Sequence, residues 1–150
     1  MPEVAELEAH LGYRVRQVSN HVSLSFARKL AAEDVTAAEW VLMRELYDKP
    51  PTPPSRVAEL MGFTRGAITK LADRLIAKGF AVREADARDG RAQTLALTPK
   101  GRRTTPRLAA LADQNEAECF GHLSKQDERA LRRILEETVA HLALAAAPVD

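Results

Sequence analysis

Between Pro53 and Thr98 the spacing of apolar residues changes from a helical to a strand period at one place, Gly79. That change leaves few ways to fold the middle of the chain. Val57, Ala58, Leu60 and Met61 predict a short helix closed by Gly62. Thr64 follows as the N-cap of a second helix, with Ile68, Leu71, Leu75 and Ile76 facing inward and Gly79 as its left-handed cap. From 80 to 98 the period is 2, with Val82 on one arm and Leu95 and Leu97 on the other. Asp89-Gly90 between the arms is a strong hairpin signal, because both residue types tolerate positive φ. Two short helices joined by Gly62-Phe63-Thr64 and followed at once by a basic hairpin predict a helix-turn-helix with a wing.

The flanks read as helices. Val4, Leu7, Leu11, Val15, Val18, Val22, Phe26 and Leu30 share one stripe and predict a helix over 4–31. Such a helix is ~42 Å long, more than a small domain covers alone, which predicts a partner helix or a subunit interface. Thr36 and Glu39 form a capping box, with Val35 and Trp40 placed as a hydrophobic staple. Trp40, Met43, Leu46 and Tyr47 line this helix until Pro50-Pro51 stops it. Pro53 or Pro54 then fits the first turn of the next helix. Thr98-Pro99 opens a fifth helix carrying Leu108, Leu111, Cys119 and Leu123. Ser124 and Asp127 start a sixth with Leu131, Leu135, Thr138, Val139 and Leu142. The expected fold class is mainly α with a small β wing. We read residues 1–150 as a single domain, with a lobe over 36–98 between N- and C-terminal helices at 4–34 and 99–145.

Charge points to the partner. The chain is nearly neutral, yet residues 52–103 carry 11 Lys/Arg against 5 Asp/Glu, and the remainder carries 11 against 16. A basic middle between acidic ends fits a polyanion. The second helix of the motif leaves Arg65, Gly66, Thr69, Lys70, Asp73 and Arg74 outside, and the hairpin carries Arg83, Arg88 and Arg91. A helix ~10–12 Å across fits the ~12 Å DNA major groove. Arg65 and Lys70 suit guanine O6 and N7, Thr69 suits a base edge or a thymine methyl, and Gly66 permits close backbone approach. A wing arginine, with Arg91 at the tip and Arg88 beside it, suits a narrow minor groove. Asp73 is read as orienting an arginine rather than touching DNA. The expected partner is double-stranded DNA.

Residues 36–101 resemble the MarR (multiple antibiotic resistance regulator) family. The similarity lies in TAAEWVLMREL, RVAELMGFTRGAITKLADRLIAKGF and the wing VREADARDGRAQTLALTPKG, where the DGR tip before LALTPKG is the most specific part. It implies a winged helix-turn-helix homodimer on a pseudo-palindromic operator, with the flanking helices as its dimerisation region. It puts base contacts on Arg65, Gly66, Thr69 and Lys70, phosphate contacts on Thr64 and Arg74, and Arg91 in the minor groove. It makes Asp89 a brace of the wing, with Arg74 or Arg88 as partner. It further implies repression relieved by a small aromatic or phenolic effector, for which His10, Arg14, His21 and Trp40 are the candidate ligand-binding residues. The family's short third strand of the wing sheet falls here on PPTPP, residues 50–54, and proline places that strand in doubt.

Other classes find less support. There is no Gly-rich phosphate loop, nucleophile motif or metal cluster, so no catalytic residue, metal or cofactor is expected. One cysteine excludes an internal disulfide. Cys119 as a redox sensor is one alternative, against the reading of a small buried hydrophobe flanked by Glu116 and Glu118. A winged-helix module used only for protein contact is another, and a non-specific architectural DNA binder a third. With no membrane-length apolar run and no signal-peptide pattern at the N-terminus, the expected location is the cytoplasm.

Overall fold

The computed structural model describes residues 2–86, 88, 90 and 92–144. In chain order it comprises a 3-10 turn (Leu7–Ala9), α1 (Leu11–Ala31), α2 (Ala37–Tyr47), α3 (Pro54–Met61), α4 (Arg65–Ala77), β1 (Ala81–Ala85), β2 (Gln93–Leu97), α5 (Pro99–Phe120) and α6 (Lys125–His141). The helix starts follow from their caps. Thr36, Thr64, Thr98 and Ser124 each accept the N–H of the residue three positions on, meeting a donor that the helix itself leaves unpaired. Both halves of the Thr36–Glu39 capping box are made. Gly62 (φ 69°) and Gly79 (φ 79°) close α3 and α4 in the left-handed region.

The core gathers one face from each of these elements: Leu30 of α1, Leu42, Met43 and Leu46 of α2, Val57 and Met61 of α3, Ile68, Leu71 and Leu75 of α4, Leu95 and Leu97 of β2, and Leu108 of α5. Phe26 and Trp40 meet edge to face, with ring centroids 6.3 Å apart, where α1 crosses α2. Gly101 lets the first turn of α5 lie against the Phe80 backbone, where a Cβ would collide with the Phe80 carbonyl oxygen. The start of α5 is thereby seated on the junction between α4 and the wing.

Four expectations change. The single helix over 4–31 is interrupted: α1 begins at Leu11, and His10 is extended (φ −90°, ψ 128°). The helix is anchored in the core at its other end by Phe26 and Leu30, and with the whole stripe from Val4 to Val18 exposed no burial in one chain repays carrying it past Leu11. Leu123 lies beyond the end of α5, between that helix and the Ser124 cap. Strand β2 does not alternate, since Thr94, Leu95, Ala96 and Leu97 are all buried. The third strand survives as one residue. Thr52, the sole non-proline of the PPTPP run, donates its N–H to Leu95 O (2.9 Å) and accepts from Leu95 N–H (2.8 Å).

Helix α6 stands apart. None of its residues is buried, and Ile134, Leu135 and Val139 remain about half exposed. An amphipathic helix with no covered face in its own chain is built to be covered by something else.

Candidate nucleic-acid interface

Helix α4 presents its first two turns to solvent. Thr64, Arg65, Gly66, Thr69, Lys70 and Arg74 are all exposed. The Thr64 hydroxyl accepts the Ala67 N–H at 3.1 Å, and the Thr69 hydroxyl donates to the Arg65 carbonyl at 2.9 Å. The expected base-contacting and phosphate-contacting residues therefore stand together on one accessible face. A groove beside them runs between α4 and the start of α2, lined by Thr36, Ala38, Phe63, Thr64, Gly66, Lys70 and Arg74. A second groove separates α4 from the wing and holds Thr69, Asp73, Arg83 and Gln93.

Gly66 has no internal reason to be glycine. A Cβ added there meets nothing within 4 Å, and its φ is not among the positive ones. An added methyl would point into open space on the exposed face of α4. Gly66→Ala is accordingly expected to raise stability by about 0.5–1 kcal/mol. The same change should weaken DNA binding by roughly tenfold, ~1.4 kcal/mol. Thermal melts and a DNA titration measure the two effects, and a variant that binds DNA unchanged removes Gly66 from the interface.

Asp73 behaves as its position on a basic face demands. Its Oδ1 accepts from Arg83 Nη2 of β1 at 2.7 Å, so the one carboxylate of α4 is matched by a wing arginine. Arg88 is exposed near the hairpin tip, and its N–H donates to Asp86 Oδ1 at 2.8 Å. Arg91 and Asp89 lie outside the described residues, so the brace proposed for Asp89 does as well.

The far end of α4 carries an ion pair that short-range sequence reading does not reveal. Glu39 is fully buried. Its Oε1 accepts the Thr36 N–H (2.8 Å) and the Lys78 ammonium (2.9 Å), while Oε2 is buried without a partner among the described residues. Burial raises the Glu39 pKa. The Lys78 and Thr36 hydrogen bonds and the Lys78 charge outweigh it, and hold the carboxyl below its usual range. Lys78 reads in sequence as a charge at the helix C-terminus. Its side chain instead crosses to α2 and to the turn after α1, where it also donates to Asp34 O at 2.7 Å.

The expected effector residues are not drawn together in one chain. His10, Arg14 and His21 are exposed, and Arg14 donates to Gln17 at 2.9 Å. Trp40 is partly covered beside Phe26. Neither groove at α4 includes any of the four. Cys119 is half-buried at the α1–α5 contact, its Sγ 4.0 Å from Ser25 Oγ. Lys29 is nearby in space, paired with Glu118 at 2.7 Å and with Asn115 Oδ1 at 3.1 Å. That neighbourhood is more polar than a plain apolar stripe. Among the described residues no group of three His, Cys, Asp or Glu side chains forms a metal cluster, and no helix is long and apolar enough to cross a membrane.

Comparison with known proteins agrees with this geometry. The MarR family model matches residues 33–92. The HTH-type transcriptional repressor Mb2911 of Mycobacterium bovis is 25% identical, over 87% of this chain and 94% of its own length. A probable transcriptional regulator from Pseudomonas aeruginosa superposes with a TM-score of 0.77 at 26% identity, covering 89% of this chain and 99% of that one. The transcriptional repressor CouR, solved on a 23-mer DNA duplex, superposes with a TM-score of 0.77 at 26% identity, covering 93% and 99%. These relatives are regulators of transcription, not enzymes.

Proposed function

We propose that this chain, whose residues 33–92 match the MarR family model, is a MarR-type sequence-specific repressor that binds a pseudo-palindromic operator as a homodimer and releases it on binding a small aromatic or phenolic effector. The observation that carries DNA reading is the solvent-facing first half of α4, where Arg65, Gly66, Thr69 and Lys70 are displayed together. In this reading α4 enters the major groove, its dipole and Thr64 favour a neighbouring phosphate, and Arg74 takes another. Arg91, with Arg88 beside it, reaches the minor groove from the wing.

Dimerisation is supported by what one chain leaves uncovered. The exposed stripe of Val4, Leu7, Leu11, Val15 and Val18 and the bare apolar face of α6 lie at the two ends of the sequence. A two-fold dimer covers both at once and mirrors itself in the operator. Effector response requires that the ligand bind the DNA-incompetent dimer more tightly. His10, Arg14, His21 and Trp40 are the residues proposed for it, with the pocket completed only by the assembled dimer.

Selecting bound duplexes from a random pool tests the proposal. The expected outcome is a motif with two inverted half-sites about one helical turn apart. Recovery of unselected sequences sinks specific reading, and a single half-site sinks the two-fold dimer. Addition of benzoate- or phenol-type acids to the selected complex is expected to lower its affinity.

A further inference from the structure

The C-terminal end of the reading helix is fastened to three other elements through one residue. Lys78 Nζ reaches the Asp34 carbonyl at 2.7 Å in the turn that ends α1, and Glu39 Oε1 at 2.9 Å in the first turn of α2. Its own carbonyl accepts Lys100 Nζ at 2.9 Å from the first turn of α5. That Lys100 ammonium also sits 4.8 Å above the centre of the Phe80 ring. The Asp34 turn is itself held in an uncommon backbone, with φ of 57° at a non-glycine residue, and is closed by Val35 N–H donating to Leu30 O at 3.1 Å. Helices α1 and α5 pack against each other outside the DNA-reading lobe, and their contact is pinned by Asn115, whose amide donates to Val22 O at 3.1 Å.

We propose that Lys78, with Glu39 as its buried anchor, is the positioning residue that sets the angle of α4 relative to α1 and α5, and so selects the spacing between operator half-sites. The inference rests on the dimer reading above. In a two-fold dimer a tilt at the end of α4 moves both reading helices in opposite senses, so a small loss of definition at Lys78 is doubled between the half-sites. The arrangement is suited to definition rather than to adhesion. A fully buried carboxylate with one oxygen unpaired among the described residues adds little net stability compared with an apolar pair of the same size, yet it is satisfied only when Lys78 stands in one place.

The test separates position from stability. Glu39→Gln/Lys78→Met keeps an acceptor for the Thr36 N–H, removes the joint to Asp34 and leaves no buried charge unpaired. Lys78→Arg is the conservative control that keeps a donor of the same charge. Each is assayed for secondary structure, sedimentation and thermal melting, then challenged with a set of duplexes in which the two selected half-sites are moved apart or together one base pair at a time. The double variant is expected to remain a folded dimer, to lose about tenfold on the best spacing and to bind neighbouring spacings almost equally, while its affinity for random duplex stays within about twofold. Lys78→Arg is expected to restore the preference. A folded, dimeric double variant with the wild-type spacing profile overturns the proposal, as does a uniform loss on every duplex. If the double variant does not fold, Glu39→Leu/Lys78→Met, an apolar pair of similar size, is read by the same spacing series, with the same two outcomes. A wild-type protein with no spacing preference refutes the dimer reading itself, which the unmodified chain reveals before any variant is made.

Discussion

Lys78→Met made alone is expected to lower folding stability by about 3–5 kcal/mol, because it strands the Glu39 carboxylate in the core without its cation. Stabilities of domains of this kind are typically ~5–15 kcal/mol, so the loss is a large fraction of the whole. The pH dependence should identify the cause. In the wild type the Glu39 pKa is lowered from its usual 4.5. A depressed carboxylate contributes stability that is fully present above the unfolded value and is lost as pH falls through the folded one. Without Lys78 the burial of Glu39 is opposed only by the Thr36 contacts, and its folded pKa moves upward. The sign of its contribution then reverses: stability is retained at acid pH and lost as pH rises through the new value. Urea titrations from acid to neutral pH measure both curves. A variant that is weakened equally at every pH contradicts the assignment of the loss to Glu39.

DNA affinity is expected to fall by about 10³–10⁵ between 50 and 200 mM salt, if a dimer places six to ten cations on phosphates. Arg74 is the phosphate candidate in each chain, and Arg65, Lys70, Arg88 and Arg91 carry further positive charge into the grooves between phosphates, in keeping with the excess of Lys and Arg over Asp and Glu in residues 52–103. Not every cation in that segment is available. Arg83 is engaged by Asp73, Lys78 by Glu39 and Asp34, and Arg56 by Glu59. Arg74→Ala should reduce the slope of log K against log salt by about one per phosphate contact removed. Fluorescence anisotropy on a labelled operator at several salt concentrations provides the slope. A flat dependence would place the binding energy somewhere other than this face.

Much of this was legible because it is local. The caps at Thr36, Thr64, Thr98 and Ser124 act within three residues of themselves, and the closing glycines at 62 and 79 act within one turn. The reading face of α4 was legible for a related reason, since a 3.6 period that hides Ile68, Leu71 and Leu75 has to show Arg65, Thr69 and Lys70. What escaped depends on distant partners. Glu39 reads as half of a capping box, and nothing near it announces a lysine 39 residues away that requires its burial. The periodicity predicts Tyr47 on the apolar face, yet Tyr47 is exposed and Leu42 fully buried; the two lie about 140° apart, at opposite edges of the stripe, and tertiary packing decides which edge is covered. The continuous stripe from Val4 to Val18 predicts one helix, but a stripe says only where a partner would lie. In a single chain the first turns have none, and the helix starts at Leu11.

The Thr52 bridge has a consequence for how such molecules keep apart. A wing sheet of two strands has two edges, and an edge of unpaired N–H and C=O groups invites another chain to join it. Here the β2 edge is met at Leu95 by one residue set between Pro51 and Pro53. Neither proline has an N–H to offer, so the edge ends where Thr52 ends. The wing sheet thus has its β2 edge capped at Leu95 by a segment that can extend the ladder no further. On the β2 side, that cap favours separate molecules over a growing ribbon of joined sheets.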